Sequence, residues 1–179
     1  MKITKGENAM KRDTIKLEKG SYLYYRIVEM LPIIKDINYD KPHVNIGGNR
    51  LACTDSTRLA VVTDERIGEV EDGSYNVEKT STAVYLTVED KAGRYPDIDR
   101  VIPLERENLL EYTHTKDGMD VNISILLAQL GKRDLCINLR FIKDLPVGKY
   151  KLYYTTPSYP LVFVAEDYTY TVMPLTIGE

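Results

Sequence analysis

Polar and apolar residues alternate along 14–20 (TIKLEKG), with Ile15 and Leu17 between polar neighbours, the period-two pattern of a strand with one wet face that Gly20 ends. Ser21 is placed to cap a helix over 22–31, where Leu23, Ile27, Met30 and Leu31 recur at helical spacing, and Pro32 is expected to end or kink it. HVNIGG and NRLACTD form two short runs joined through Gly47, Gly48 and Asn49, a tight hairpin, and RLAVVT (58–63) continues as a strand. Between 64 and 100 the runs SYNVEK and AVYLTVE predict a long hairpin or sheet extension, followed by a connector over 92–103 pinned by Tyr95, Ile98 and Ile102. Within 105–130, RENLLEY fits a helical turn, KDG a tight turn, and MDVNISILLAQL either a strand or a helix, because a continuous apolar run hides its period. A strand followed by a short helix is the preferred expectation there. The last third reads as strand (DLCIN), short helix (LRFIKDL, closed by Pro146 and Gly148), then strands KYKLYYTT, YPLVFVAE and YTYTVMPL. This order repeats that of 14–63, so one βαβββ unit occurs twice in an α+β fold of antiparallel sheets and two short helices.

Composition adds less than pattern. The 179 residues are 43% hydrophobic and 28% charged, and 14 tyrosines against two phenylalanines and no tryptophan suit half-buried strands. No apolar run approaches the roughly 20 residues that cross a bilayer, and the basic N-terminus lacks the apolar stretch of a secretory signal, so the expectation is a cytoplasmic protein without membrane partners. Net charge is −3, unevenly spread: residues 64–99 hold ten acids and four bases, 132–151 six bases and two acids, and 1–30 seven bases and four acids. Cys53 and Cys136 lie outside any CxxC spacing and read as free thiols. With His43 and His114 the only imidazoles, no metal site of ordinary spacing assembles, and no phosphate-cradle, dinucleotide or nucleophile-elbow motif occurs. Asp55, Asp64, Asp97 and Asp99 read as loop acids and turn caps rather than as an acid–base pair or magnesium site. Neither an enzyme nor a cofactor is expected.

Three separated stretches, in one order, resemble the bacterial sliding DNA clamp, the β subunit of DNA polymerase III. LACTDSTRLAVV (51–62) is similar to the family's ATDGHRLAV segment, GRYPDIDRVIP (93–103) to the end of its middle domain, and YTYTVMPL (168–175) to its terminal YVVMPM. INLRFIKDLPVGKYKLYYTTPSYPLVFV resembles the clamp's last helix and strands, while 64–92 and 104–131 match poorly. The resemblance implies a single clamp-like domain over 1–179, with 11–103 as a first half and 104–179 as a second half like the end of the clamp's final domain.

In that family, subunits close into a ring whose helices face DNA, and inward bases hold phosphates without reading sequence. The resemblance therefore implies a processivity factor for DNA replication that binds double-stranded DNA non-specifically, with Arg26, Arg140 and Lys143 facing it and Lys132 and Lys35 as outer contacts. Oligomerisation through sheet edges follows from the same picture. It also implies a pocket for short peptides of DNA polymerases and repair proteins, lined by Thr54, Ser56, Thr57, Arg58, Leu59, Pro103, Thr171, Val172, Met173 and Pro174. Leu59, Pro103, Val172 and Met173 would supply the apolar trough, and Arg58 would hold the rim or bond the peptide. Ser56 and Thr57 stand where the family has Gly and His, and Thr171 where it has an apolar residue. A module that binds such peptides without forming a ring is the alternative.

Overall fold

The computed structural model describes residues 14–37, 43–89, 95–103, 107–115, 119–156 and 158–175. β1 (Thr14–Glu18) leads through Gly20, at φ +106°, into α1 (Tyr22–Ile34), whose cap Ser21 accepts a hydrogen bond from Tyr24 N–H at 3.3 Å. Leu23, Ile27, Met30 and Ile34 form the buried stripe. The helix runs past Pro32 rather than ending at 31: Ile33 and Ile34 continue it into the core, and their burial offsets the one backbone bond that proline removes in the last turn.

The chain forms two units, one of residues 1–55 and 61–95 and the other of 56–60 and 96–179. In the first, β2 (Val44–Gly47) and β3 (Arg50–Thr54) make the expected hairpin. Its two-residue turn starts with Gly48 at φ +59°, a conformation glycine adopts without penalty. β4 (Arg58–Thr63) ends in this unit and leads to a 3₁₀ turn, Glu65–Glu69, absent from the sequence reading. Asp64 caps that turn, and hydrogen bonds from the Arg66 side chain hold its carboxyl well below the usual carboxylate range. β5 (Gly73–Lys79) and β6 (Ala83–Val88) are the predicted long hairpin, inserted between β1 and β2 so that the strand order is β1-β6-β5-β2-β3.

In the second unit, Asp97 caps a single turn, α2 (Ile98–Val101), where only an irregular connector was expected. RENLLEY is not a helical turn: its described part belongs to β7 (Glu107–His114), which pairs along its length with the strand Gly148–Tyr154, while KDG lies outside the described residues. The ambiguous apolar run is wholly helical, α3 (Met119–Gly131), with Ile123, Leu126 and Leu130 buried at helical spacing. DLCIN contributes one isolated bridge, Cys136 to Leu175, instead of a strand, because Asp134 takes φ +54° before it and Asn138 is already the cap of α4 (Leu139–Lys143). β8 (Gly148–Tyr154), β9 (Leu161–Val164) and β10 (Tyr168–Val172) follow as predicted, in the order β10-β9-β8-β7. Phe163 centres the core, with the rings of Tyr112, Tyr150 and Tyr170 at 6.0, 6.4 and 6.3 Å.

The architecture is α+β with antiparallel strand pairing, and each unit contains a strand, a 13-residue helix and further strands, but in the second unit that strand and helix are β7 and α3 rather than the expected DLCIN and LRFIKDL. Four helices are present among the described residues rather than two, since α2 and α3 were not separable in the sequence. A shared local device marks the repeat: the Tyr75 hydroxyl donates to the Glu71 carbonyl at 2.6 Å and the Tyr150 hydroxyl to the Pro146 carbonyl at 2.7 Å. Each ring lies against a glycine two residues earlier, Gly73 or Gly148.

Candidate functional site

Thr54, the last residue of β3, belongs to the first unit, whereas the other nine candidate pocket residues belong to the second. Ser56 takes φ +79°, so the turn keeps the left-handed backbone that suits glycine while carrying a side chain. Thr57 then accepts a hydrogen bond from Met173 N–H at 2.9 Å, which fixes the start of β4 beside the end of β10.

Arg58 has a fully buried side chain, paired with the Asp144 carboxylate at the end of α4. Its guanidinium lies over the Phe141 ring at 4.6 Å, and the Tyr170 hydroxyl, 3.5 Å from the same nitrogen, donates to the Phe141 carbonyl at 3.0 Å. These contacts join β4, α4 and β10. Arg58 thus sits beneath the surface rather than at a rim, and its charge is directed to Asp144. Leu59 and Val172 are also core residues, 3% and 0% exposed. Thr171 is buried as well, and its hydroxyl makes no hydrogen bond within the described residues.

Met173 is the exposed apolar member, at 42%, and Pro174 beside it is half-buried. Leu175, absent from the candidate set, is 52% exposed and is held by its N–H on the Cys136 carbonyl at 2.9 Å. Met173 and Leu175 are both exposed, two residues apart just beyond β10, whereas Val172 is buried. Pro103 lies half-buried just beyond α2. Period two at the chain's end was the available signal for Leu175; for Asp144, Phe141 and Tyr170 nothing in the sequence pointed to Arg58.

The candidate DNA contacts divide between the units. Arg26 on α1 is paired with Glu29 at 2.7 Å and lies 5.2 Å from the Tyr22 ring centre, and Lys35 is the exposed C-cap of the same helix. Arg140 and Lys143, both exposed, are three apart on α4, hence on one face, with Ile142 turned inward. Lys132 is exposed just after α3. That helix carries no charge from Val121 to Gly131, and Val121, Ile125 and Leu127 are exposed on it.

The four aspartates do not behave as one site. Asp64 is held by Arg66, Asp97 caps α2, Asp99 lies in its first turn, and Asp55 precedes Ser56. Among the described residues no group of three or more His, Cys, Asp or Glu side chains is placed to hold a metal, and neither Cys53 nor Cys136 is in a disulfide. No described helix is long and apolar enough to cross a membrane.

No protein-family model matches the sequence, and no curated protein matches it. Solved structures do. A putative DNA polymerase III β subunit from Eubacterium rectale aligns with a TM-score of 0.57 at 13% identity, covering 97% of this chain and 68% of that one. The Helicobacter pylori β clamp bound to a DNA ligase peptide gives 0.54 at 12% identity, with 97% and 68% covered. The Thermotoga maritima β subunit gives 0.52 at 13%, with 99% and 68% covered. The chain has the fold of the bacterial sliding clamp, over about two thirds of those subunits' length.

Proposed function

We propose that this chain is a reduced, divergent sliding clamp that acts by binding: it holds duplex DNA without sequence preference and tethers a polymerase or repair protein through a short peptide. It carries no reaction and works in the cytoplasm. The fold likeness, which extends over nearly the whole chain, is the observation on which this rests. Met173 and Leu175 would receive the peptide's apolar side chains, with Met adapting to more than one partner. Leu59, Val172 and the Arg58–Asp144 pair would hold that edge rigid from below.

A second reading has its own support. The uncharged stretch of α3 from Val121 to Gly131 and the pairing of Arg26 with Glu29 are poor inner-surface chemistry, and they favour a peptide-binding module that recruits or competes for clamp-binding proteins without encircling DNA. One experiment separates the two. The chain is mixed with closed circular and linearised DNA of the same length, with and without a clamp loader, and retention is followed together with solution mass. Retention on circles, lost on linearisation, by an oligomer supports the ring. A monomer that binds a clamp-motif peptide and ignores both DNA forms supports the module. Binding of neither DNA nor peptide refutes both.

A further inference from the structure

A cavity of about 690 Å³ opens in the first unit, where the C-terminal end of α1 meets the turn between β5 and β6. Leu31, Ile34, Ile37 and Val77 give it an aliphatic floor, and its polar lining among the described residues is Lys35, Lys79, His43, Thr80 and Ser81. No carboxylate is among these residues, and neither lysine side chain is in an ion pair among the described residues. His43 accepts the Val77 N–H on Nδ1 at 2.8 Å. A neutral imidazole that accepts on one nitrogen donates from the other, so Nε2–H is a donor facing away from Val77. Burial disfavours the imidazolium here and lowers its pKa, which keeps that tautomer in place near neutral pH.

Converging cations and donors over an aliphatic floor select for an anion attached to an apolar group. Among the described lining residues there is no tyrosine or phenylalanine on which a base could stack, and a phosphate backbone would leave the floor unused. We infer that this cavity binds an acidic peptide segment bearing an aliphatic side chain next to a carboxylate. The side chain rests on Leu31, Ile34 and Ile37, and the carboxylate lies between Lys35 and Lys79 with the Nε2–H of His43 as a further donor. These lining residues belong to the first unit and Met173 and Leu175 to the second, and Lys35 is thereby assigned to peptide rather than to DNA.

The test uses a fluorescein-labelled peptide of alternating leucine and aspartate, titrated by anisotropy against the full chain at low salt. Saturable binding is expected, at least tenfold weaker in the Lys35→Gln/Lys79→Gln double variant and unchanged in Met173→Asp, so that failure here and failure of the tethering site are told apart. Equal melting temperatures of the native and double-variant chains, measured alongside, exclude unfolding as the cause of a loss. The inference is overturned by an absence of saturation, by equal binding of a leucine–lysine peptide, by undiminished affinity in the double variant, or by short duplex DNA binding through these lysines in preference to the peptide.

Discussion

Replacing Arg58 by alanine tests whether this residue is a strut or a ligand contact. The substitution leaves Asp144 without its partner and removes the stack on Phe141. Breaking a buried pair costs about 3–5 kcal/mol, and a guanidinium over an aromatic ring adds roughly 1 kcal/mol. Asp144 keeps 20% of its side chain in contact with solvent, so water screens the orphaned carboxylate and the lower end applies. A loss of about 4 kcal/mol is therefore expected, read as a shift in the urea midpoint at constant m-value. Asp144→Ala should cost at least as much, because the guanidinium left behind is fully buried and cannot shed its proton. The Arg58→Met/Asp144→Leu pair should recover most of the loss, since apolar residues of similar size replace buried ion pairs with little penalty. Peptide titration on the same samples completes the assay. A stability change under about 1 kcal/mol with peptide affinity abolished would refute the strut and return Arg58 to the binding surface.

Further outcomes follow from single positions. Ser56→Gly should stabilise by about 0.5–1 kcal/mol, because φ +79° strains a side-chain-bearing residue more than glycine's extra chain entropy costs; a lower urea midpoint would contradict this. Thr171→Val should raise the melting temperature, with roughly 1 kcal/mol regained when an unbonded buried hydroxyl becomes a methyl, and a drop would mean that the hydroxyl has a partner. Burial lowers the pKa values of His43 and His114, so the unfolded chain takes up protons first as pH falls; stability is full above about pH 6.5 and declines below it. The urea midpoint should accordingly be lower at pH 5.5 than at 7.5, and the slope shallower in His43→Gln; a flat profile argues against buried neutral imidazoles. Met173→Ser and Leu175→Ser should each weaken a clamp-motif peptide by about tenfold at unchanged melting temperature, and equal affinity would exclude this edge from the tethering site.

Most strands were legible because they alternate or are bounded by Gly, Pro and Asn; β2, β3, β5, β8, β9 and β10 carry that punctuation, and β6 alternates Val84, Leu86 and Val88 with Tyr85 and Thr87. Pro32 misled because proline in a last turn loses only one bond, and a sequence does not reveal that Ile33 and Ile34 are buried beyond it. α3 was ambiguous for a different reason. Exposed Val121, Ile125 and Leu127 fill the positions where polar residues would have disclosed a helical period. The repeated Gly-x-Tyr at Gly73–Tyr75 and Gly148–Tyr150 was present to be read, but its meaning lies in hydrogen bonds to carbonyls four residues back, which no hydrophobic pattern encodes. At the site, motif order picked out 56–59 and 171–174, and Thr57 and Met173 do meet. Which side chains face outward is set by where β10 stops, at Val172, and by Asp144, 86 residues from Arg58, and pairings of that separation leave no local trace.

Charge placement bears on how such a chain would stay on DNA. Each phosphate contact contributes a slope of roughly 0.9 in log affinity against log salt, so a strong static grip needs many unpaired cations on one surface. Here Arg26 is already neutralised by Glu29, α3 offers none from Val121 to Gly131, and Arg140 and Lys143 share a helix of only five residues. A single copy built this way is expected to bind duplex DNA weakly. Encirclement does not depend on affinity, because a closed ring leaves a closed circle only by opening. The proposed clamp is therefore consistent with a small salt slope provided the link is topological, and a large slope on linear DNA would point instead to a cationic surface outside the residues considered as DNA contacts.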